Sequence, residues 1–157
     1  MRRLLATVAV SGLLANVILP PVARAEPCLR PAEKMGFDVA SLKSEMMVVA
    51  ISCQAQDSYN RFIARFRHEL QTGERSVHQY FARLAGRNAS QRYDDYVTNL
   101  ANVQSEEGVQ QGTLFCQQHI AMFDEVMGLS GESSLAQYAQ GKRLPQAMLL
   151  AACSGDK

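Results

Sequence analysis

The chain has 157 residues, of which 47% are hydrophobic and 20% are charged, and its formal net charge is +1. This composition excludes a collagen-like chain and an intrinsically disordered polymer, and the small net charge disfavours a strongly basic nucleic-acid-binding protein. Residues 1–25 contain three arginines and no acid, so the remaining 132 residues carry a net charge of −2.

The N-terminus has the pattern of a secretory signal peptide. Arg2 and Arg3 precede a mostly apolar run of 16 residues, and Ala23-Arg24-Ala25 supplies a small-residue cleavage motif. The run is shorter than the roughly 20 residues that a membrane span requires, so no permanent membrane anchor is expected. We predict cleavage after Ala25, a single helical domain over residues 26–157, and a periplasmic or secreted protein.

The cysteine positions support this export prediction. All four lie beyond the proposed cleavage site, at Cys28, Cys53, Cys116 and Cys153. An even number in an exported chain indicates two disulfides, and the absence of C-x-x-C argues against a redox motif, haem attachment or a zinc site. Of the three pairings we favour Cys53–Cys116 with Cys28–Cys153. The first two cysteines lie in apolar helical patterns, whereas the others lie near the mature ends.

The first half of the mature chain predicts one or two helices. Residues 26–37 contain two prolines and a glycine and are expected to be irregular, with Asp38 as the N-cap of the first helix. Two apolar stripes follow, at Leu42, Met46, Val49, Ala50 and Cys53, and then at Tyr59, Phe62, Ile63, Phe66 and Leu70. The phase shifts near residues 54–58, which leaves a kinked helix and two separate helices as alternatives. Gly73 is expected to end the segment.

The second half continues the helical pattern. Gly86 is a candidate C-cap for the helix that contains Val77, Tyr80, Phe81 and Leu84, and Ser90 is a candidate cap for the next helix. Further apolar patterns run from Tyr93 to Val103, from Phe115 to Met127, from Leu135 to Ala139, and through an apolar tail at 144–152. The sequence therefore predicts an all-α, disulfide-stabilised bundle of about four or five helices.

No residue is predicted to be catalytic or to bind a metal or cofactor. The acid doublets at 94–95, 106–107 and 124–125 are expected on solvated helix edges, and no G-x-S-x-G motif or phosphate-binding loop occurs. Cys116, His119 and Met122 share a helical face, but they could bind a soft metal only if the cysteine were a free thiolate. An exported cysteine is expected to be oxidised, and methionines at helical spacing usually fill the core.

Charge is unevenly distributed along the chain. Residues 61–92 contain seven arginines and two acids, whereas residues 93–132 contain seven acids and no lysine or arginine. Arg61 and Arg65 lie one helical turn apart, and we interpret them as outward-facing candidate residues for partner binding. The alternative is that the two blocks attract each other within the fold.

These patterns favour a small non-enzymatic accessory protein that binds another envelope or secreted protein, such as a chaperone, an immunity protein or a complex subunit. No nucleic-acid partner is expected, and the sequence does not indicate an oligomeric state. The alternatives are a cell-wall-directed glycoside hydrolase or lytic transglycosylase, and a small-ligand or metal carrier that uses the bundle interior. A solvent cleft around one buried glutamate would favour the hydrolase, whereas a closed core with an exposed apolar or charged patch would favour the binding protein.

Overall fold

The computed structural model describes residues 28–130 and 134–153, and within these ranges the protein is a helical bundle. The helices are α1 (Pro31–Ser52), α2 (Gln56–Arg65), α3 (Arg67–Ala85), α4 (Ala89–Gln111), α5 (Leu114–His119), α6 (Met122–Met127) and α7 (Ser134–Lys142). Five of them have nine residues or more, which confirms the predicted all-α, disulfide-stabilised bundle. The predicted signal peptide and its cleavage site lie outside the described residues. In the described part of the chain, no helix has the length and hydropathy of a membrane span.

Helix α1 begins earlier than its apolar stripe indicates. Pro31 occupies the first helical position, where its missing N–H leaves no hydrogen bond unmade. The carboxylate of Glu33 accepts a hydrogen bond from the backbone N–H of Arg30 at 2.9 Å, which caps the helix N-terminus. The predictions of an irregular segment over residues 26–37 and of an N-cap at Asp38 are therefore wrong for residues 31–38, because these residues are helical. Asp38 lies inside the helix and pairs with Lys34 one turn before it.

Two glycines mark the place where α1 and α3 cross. Gly36 and Gly73 are both buried within helices, and a Cβ added to Gly36 would lie 2.8 Å from the carbonyl oxygen of Gly73. Gly73 therefore does not end a helix as expected, because its missing side chain permits a close approach. The helices are antiparallel, since Glu33 near the start of α1 pairs with Arg83 near the end of α3.

The phase shift after the first stripe is a true break between two helices. Helix α1 ends at Ser52, and the N–H of Cys53 still bonds to the carbonyl of Val49 at 2.8 Å. Gln54 then adopts a left-handed conformation with φ of 57°, and α2 begins two residues later. A residue with a side chain in that conformation redirects the chain without a glycine. The break therefore leaves no proline or glycine signal in the sequence.

The core consists of two apolar clusters that share α1. One contains Leu42, Met46, Val49, Phe62, Phe115, Val126 and Leu135, and thereby joins α1 to α2, α5, α6 and α7. In the other, the ring of Phe37 makes edge contacts with Tyr80 at 5.1 Å and Tyr96 at 5.0 Å. Helix α4 runs parallel to α1. Phe37 of α1 contacts Tyr96 of α4, and further along both helices Ser41 of α1 accepts a hydrogen bond from Gln104 of α4.

Both disulfides join elements that are distant in sequence. Cys53 after α1 pairs with Cys116 in α5, with a Cα–Cα distance of 5.5 Å. Cys28 pairs with Cys153 at 4.8 Å, and Leu29 beside it exchanges backbone hydrogen bonds with Ala151 and Cys153. These are the pairs that the cysteine positions favour. Two disulfides indicate an oxidising, extracytoplasmic environment.

Candidate functional site

A glutamate in the bundle core has a pKa that is shifted close to neutrality. Glu45 of α1 is 2% exposed, and its Oε1 lies 3.0 Å from Nδ1 of His119 at the end of α5. The two atoms are at ion-pair distance without the alignment that a hydrogen bond requires. Burial, followed by the negative charge of Glu107, raises the pKa of Glu45 to about 7. Burial also lowers the pKa of His119, so the neutral forms of both side chains are favoured.

A seam of polar side chains continues along the α1–α4 interface from this pair. Gln104 is fully buried, and its Nε2 donates hydrogen bonds to the carbonyl and Oγ of Ser41, each at 3.1 Å. The Ser41 hydroxyl in turn donates to the carbonyl of Pro145 at 2.8 Å. Gln111 donates to Glu107 at 3.2 Å, while the side-chain oxygens of Gln104 and Gln111 accept no hydrogen bond. The seam fixes the register of α4 on α1 and attaches the C-terminal tail to both.

Glu45 is almost fully buried among the residues that the structure describes. A catalytic glutamate with a raised pKa must face a cleft that admits the substrate. None of the four cavities described in the structure is lined by Glu45 or His119. The acid doublets at 94–95, 106–107 and 124–125 lie on exposed or half-buried helix faces. A hydrolase would need a glutamate with a raised pKa in a cleft. Glu45 has the raised pKa, but it lies in the core and away from these four cavities.

The three residues considered for a soft metal do not form a site. Cys116 is oxidised in the disulfide with Cys53, His119 faces Glu45, and Met122 is packed in the core. Among the residues that the structure describes, no three histidine, cysteine, aspartate or glutamate side chains converge as metal ligands.

The two arginines considered for partner binding have different surroundings. Arg61 is exposed and donates a hydrogen bond to Ser58 at 3.0 Å. Arg65 is also exposed, but its guanidinium donates to the backbone carbonyls of Met127, the last residue of α6, and of Leu129, two residues later. Arg65 thus stabilises the C-terminal end of a short helix, where unpaired carbonyls favour a cation. A role of the pair in binding remains a prediction.

Four exposed aliphatic side chains lie near one end of the bundle, at the C-terminal ends of α1 and α4 and in or just after α5, and we call this region the apolar end. It comprises Ile51, Val109, Leu114 and Ile120, which are 65%, 80%, 52% and 39% exposed. The Cys53–Cys116 disulfide lies within four residues of three of them, since it joins the end of α1 to α5. A Cβ on Gly108 would lie 3.3 Å from the ring of Phe115, which places the end of α4 beside the start of α5.

The apolar end has a distinct charge environment. The four aliphatic side chains lie within residues 44–60 and 105–121, which contain no lysine or arginine. The exposed polar residues of these segments include two acids and several glutamines, namely Gln54, Gln56, Asp57, Glu106, Gln110, Gln117 and Gln118. Arg61, which follows the first segment on α2, donates a hydrogen bond to Ser58. The ammonium group of Lys142 approaches from α7, but the carboxylate of Glu125 pairs with it. The result is an aliphatic patch with an acidic to neutral rim.

Sequence patterns missed both features for identifiable reasons. Glu45 lies three residues after Leu42 and four before Val49, so its place inside an apolar stripe is a signal that a charged side chain would be buried. The apolar end carries no comparable signal, because helical spacing does not tell which aliphatic residues a neighbouring helix will cover. No protein-family model, curated protein or solved structure matches this chain.

Proposed function

We propose that this is a small non-enzymatic accessory protein that binds another exported protein through its apolar end, in the periplasm or after secretion. The observation that carries the proposal is the group of exposed aliphatic side chains around the Cys53–Cys116 disulfide. Single exposed aliphatic residues are ordinary, but several at one end of a bundle, on neighbouring elements, are typical of an interaction surface.

Burial of apolar surface and rigidity both favour binding at the apolar end. Fully burying a Val, Leu or Ile side chain contributes about 1.5–3 kcal/mol, so the four side chains together could supply several kcal/mol to an interface. The disulfide joins the end of α1 to Cys116 within α5 before any partner binds. A preformed patch loses less conformational entropy on binding, which raises the share of this energy that appears as affinity.

Charge indicates what kind of surface the partner presents. Residues 44–60 and 105–121 contain no lysine or arginine, and Asp57 and Glu106 are exposed acids within them, so the surroundings of the patch favour basic groups over acidic ones. The matching surface is an apolar centre surrounded by lysine or arginine side chains. Such a rim contributes mainly to the association rate, which should fall as salt is raised.

Two serine substitutions test the proposal on the mature protein. Val109→Ser and Leu114→Ser remove exposed aliphatic groups that contribute little to the folded monomer, so the melting temperature should stay within a few degrees of wild type. The matched control is Leu149→Ser, because Leu149 is 99% exposed in the C-terminal tail. The three variants are compared with wild type for cross-linked co-purification from the native envelope and medium, and for sedimentation.

We expect one specific protein to co-purify with the wild-type protein. The same protein should co-purify with Leu149→Ser, and it should be lost with Val109→Ser and with Leu114→Ser. Equal recovery by all four proteins would contradict it. A wild-type dimer that dissociates in the same two variants would also contradict it, because a second copy would then be the occupant of the apolar end.

A further inference from the structure

The buried pair of Glu45 and His119 adjoins the apolar end. His119 is the last residue of α5, and Ile120, whose side chain belongs to the apolar end, is the next residue. Glu45 faces this turn from α1, with its Oε1 3.0 Å from Nδ1 of His119. The contact between the two side chains therefore links the interior of the bundle to part of its proposed binding surface.

Charged groups of α4 and α7 act on this pair. The carboxylate of Glu107 on α4 acts on both Glu45 and His119, and the ammonium group of Lys142 on α7 acts on His119. Lys142 is itself paired with Glu125 of α6. An ionised Glu45 would therefore lie in the core beside a second negative charge, and the neutral imidazole of His119 would not balance it.

Buried polar atoms near the pair make the closed arrangement costly. Nδ1 of His119 and the side-chain oxygen of Gln111 are buried and have no hydrogen-bond partner. Gln111 lies one turn after Glu107 on α4 and donates a hydrogen bond to it. A polar network that is only partly satisfied is unfavourable in a dry core, and entering water would satisfy it. Opening the contact between α1 and α5 therefore costs less than opening a fully apolar contact.

The last turn of α5 can move without disturbing the rest of the core. Phe115 is 2% exposed, and the disulfide fixes Cys116 to the end of α1. Beyond Cys116, the ring of His119 stacks on Phe115 at 4.5 Å, and the N–H of Ile120 bonds to the carbonyl of Cys116 at 3.0 Å. A movement confined to residues 117–121 would separate His119 from α1 and leave the disulfide in place.

The ionisation of Glu45 determines which arrangement is favoured. Burial and the charge of Glu107 raise the pKa of Glu45 from 4.5 to about 7, and burial lowers the pKa of His119. In mildly acidic solution both side chains are neutral and remain in the core. Above pH 7 the carboxyl group loses its proton, and the open form, in which water solvates the carboxylate, becomes more favourable.

We propose that Glu45 and His119 form a pH-sensitive latch, which holds the last turn of α5 on α1 in mildly acidic surroundings and releases it above neutral pH. Ile120 moves with this turn, so the latch controls how well ordered the apolar end is. Its effect on a partner rests on the proposed protein binding: the partner binds more tightly at pH 6 than at pH 8.

Hydrogen exchange of single amides, measured by NMR on the free mature protein, tests the latch. The N–H of Ile120 reports on the last turn of α5, and the N–H of Cys53, bonded to the carbonyl of Val49, is the matched control beside the same disulfide. After correction for intrinsic exchange, the opening of Ile120 should increase about tenfold between pH 6 and pH 8. This ratio follows from a carboxyl pKa of about 7 in the closed form and 4.5 in the open form. The opening of Cys53 should change less than twofold.

Three variants identify the group that titrates. Glu45→Gln should remove the increase at Ile120, because no carboxyl group remains to ionise. Glu107→Gln should make the increase smaller, because it lowers the pKa of Glu45. Glu106→Gln is the matched control and should behave as wild type, since Glu106 is exposed on the same helix.

Three exchange results would overturn the latch. These are an opening of Ile120 that does not vary with pH, an equal increase in Glu45→Gln and wild type, and an equal increase at Ile120 and Cys53, which would indicate unfolding of the whole domain. Co-purification of the partner at pH 6 and pH 8 tests the effect on binding, and equal recovery would overturn that effect. Recovery of no partner at either pH would contradict the proposed protein binding, while the exchange of Ile120 would still decide the latch by itself.

Discussion

Replacing Glu45 with glutamine tests the ionisation state of the buried pair that it forms with His119. Burial and the charge of Glu107 raise the pKa of Glu45 from 4.5 to about 7. Ionising this carboxyl group in the folded protein therefore costs about 3 kcal/mol more than in the unfolded chain. Glutamine keeps the shape of the side chain and removes the charge.

The sign follows from proton linkage. Below pH 4.5 the carboxyl group is protonated in both states, so its protonated form contributes its full share to stability. As the pH rises towards 7, the unfolded chain releases the proton and the folded protein retains it, so stability falls. Above pH 7 that contribution is lost. The Glu45→Gln variant has no carboxyl group to ionise at this position, so it does not lose this stability. Its free energy of unfolding, relative to that of wild type, should therefore increase by about 3 kcal/mol between pH 4.5 and pH 8.

Urea unfolding of both proteins at several pH values between 4.5 and 8, with the disulfides intact, measures the difference directly. Glu107→Gln should lower the pKa of Glu45 and shift the same transition to lower pH, because it removes a nearby negative charge. Glu106→Gln is the matched control, since Glu106 is exposed on the same helix and should leave the profile unchanged. A stability difference that does not vary with pH would refute the reasoning. So would a variant that is least stable near neutral pH, because that result indicates a charged glutamate–histidinium pair.

Three further changes probe the fold. Cys53→Ala/Cys116→Ala should lower the free energy of unfolding by about 2–5 kcal/mol, because the disulfide closes a loop across a sequence separation of 63; equal urea midpoints would contradict this. Gly36→Ala should destabilise the protein by about 1–3 kcal/mol, because its Cβ would lie 2.8 Å from α3. Gly141→Ala, in open space on α7, should be neutral or stabilising by up to about 1 kcal/mol, and equal effects in calorimetry would refute the close crossing. Arg65→Ala should cost about 1 kcal/mol in urea unfolding through its bonds to the end of α6, and an unchanged midpoint would show that these bonds are not formed in solution.

Apolar periodicity locates the helices well because each one buries a continuous stripe. The stripe around Leu42 and Val49 predicts the body of α1, and Gly86 predicts the end of α3 with its left-handed backbone, φ of 52°. Helix starts are harder to predict, since they depend on local hydrogen bonds. The carboxylate of Glu33 both caps α1 and pairs with Arg83, and that second partner is 50 residues away.

The candidate sites depend on tertiary contacts that periodicity does not contain. Gly36 and Gly73 have the sequence signature of helix breakers, and only the approach of α1 to α3 explains why they lie within helices. Likewise, Val103 and Val109 lie on the same helix, yet they are 40% and 80% exposed because the neighbouring elements cover them to different extents. The uneven cover creates the apolar end.

Site-specific photo-cross-linking in the native compartment tests the proposed binding function most directly. A photoreactive phenylalanine analogue at Val109 lies in the apolar end. The same group at Gln79 lies at an exposed position of α3, near the other end of α1. The proposed function predicts one discrete cross-linked protein from position 109, its loss when Leu114→Ser is added, and no such product from position 79. No product from position 109, or the same product from both positions, would contradict binding through the apolar end.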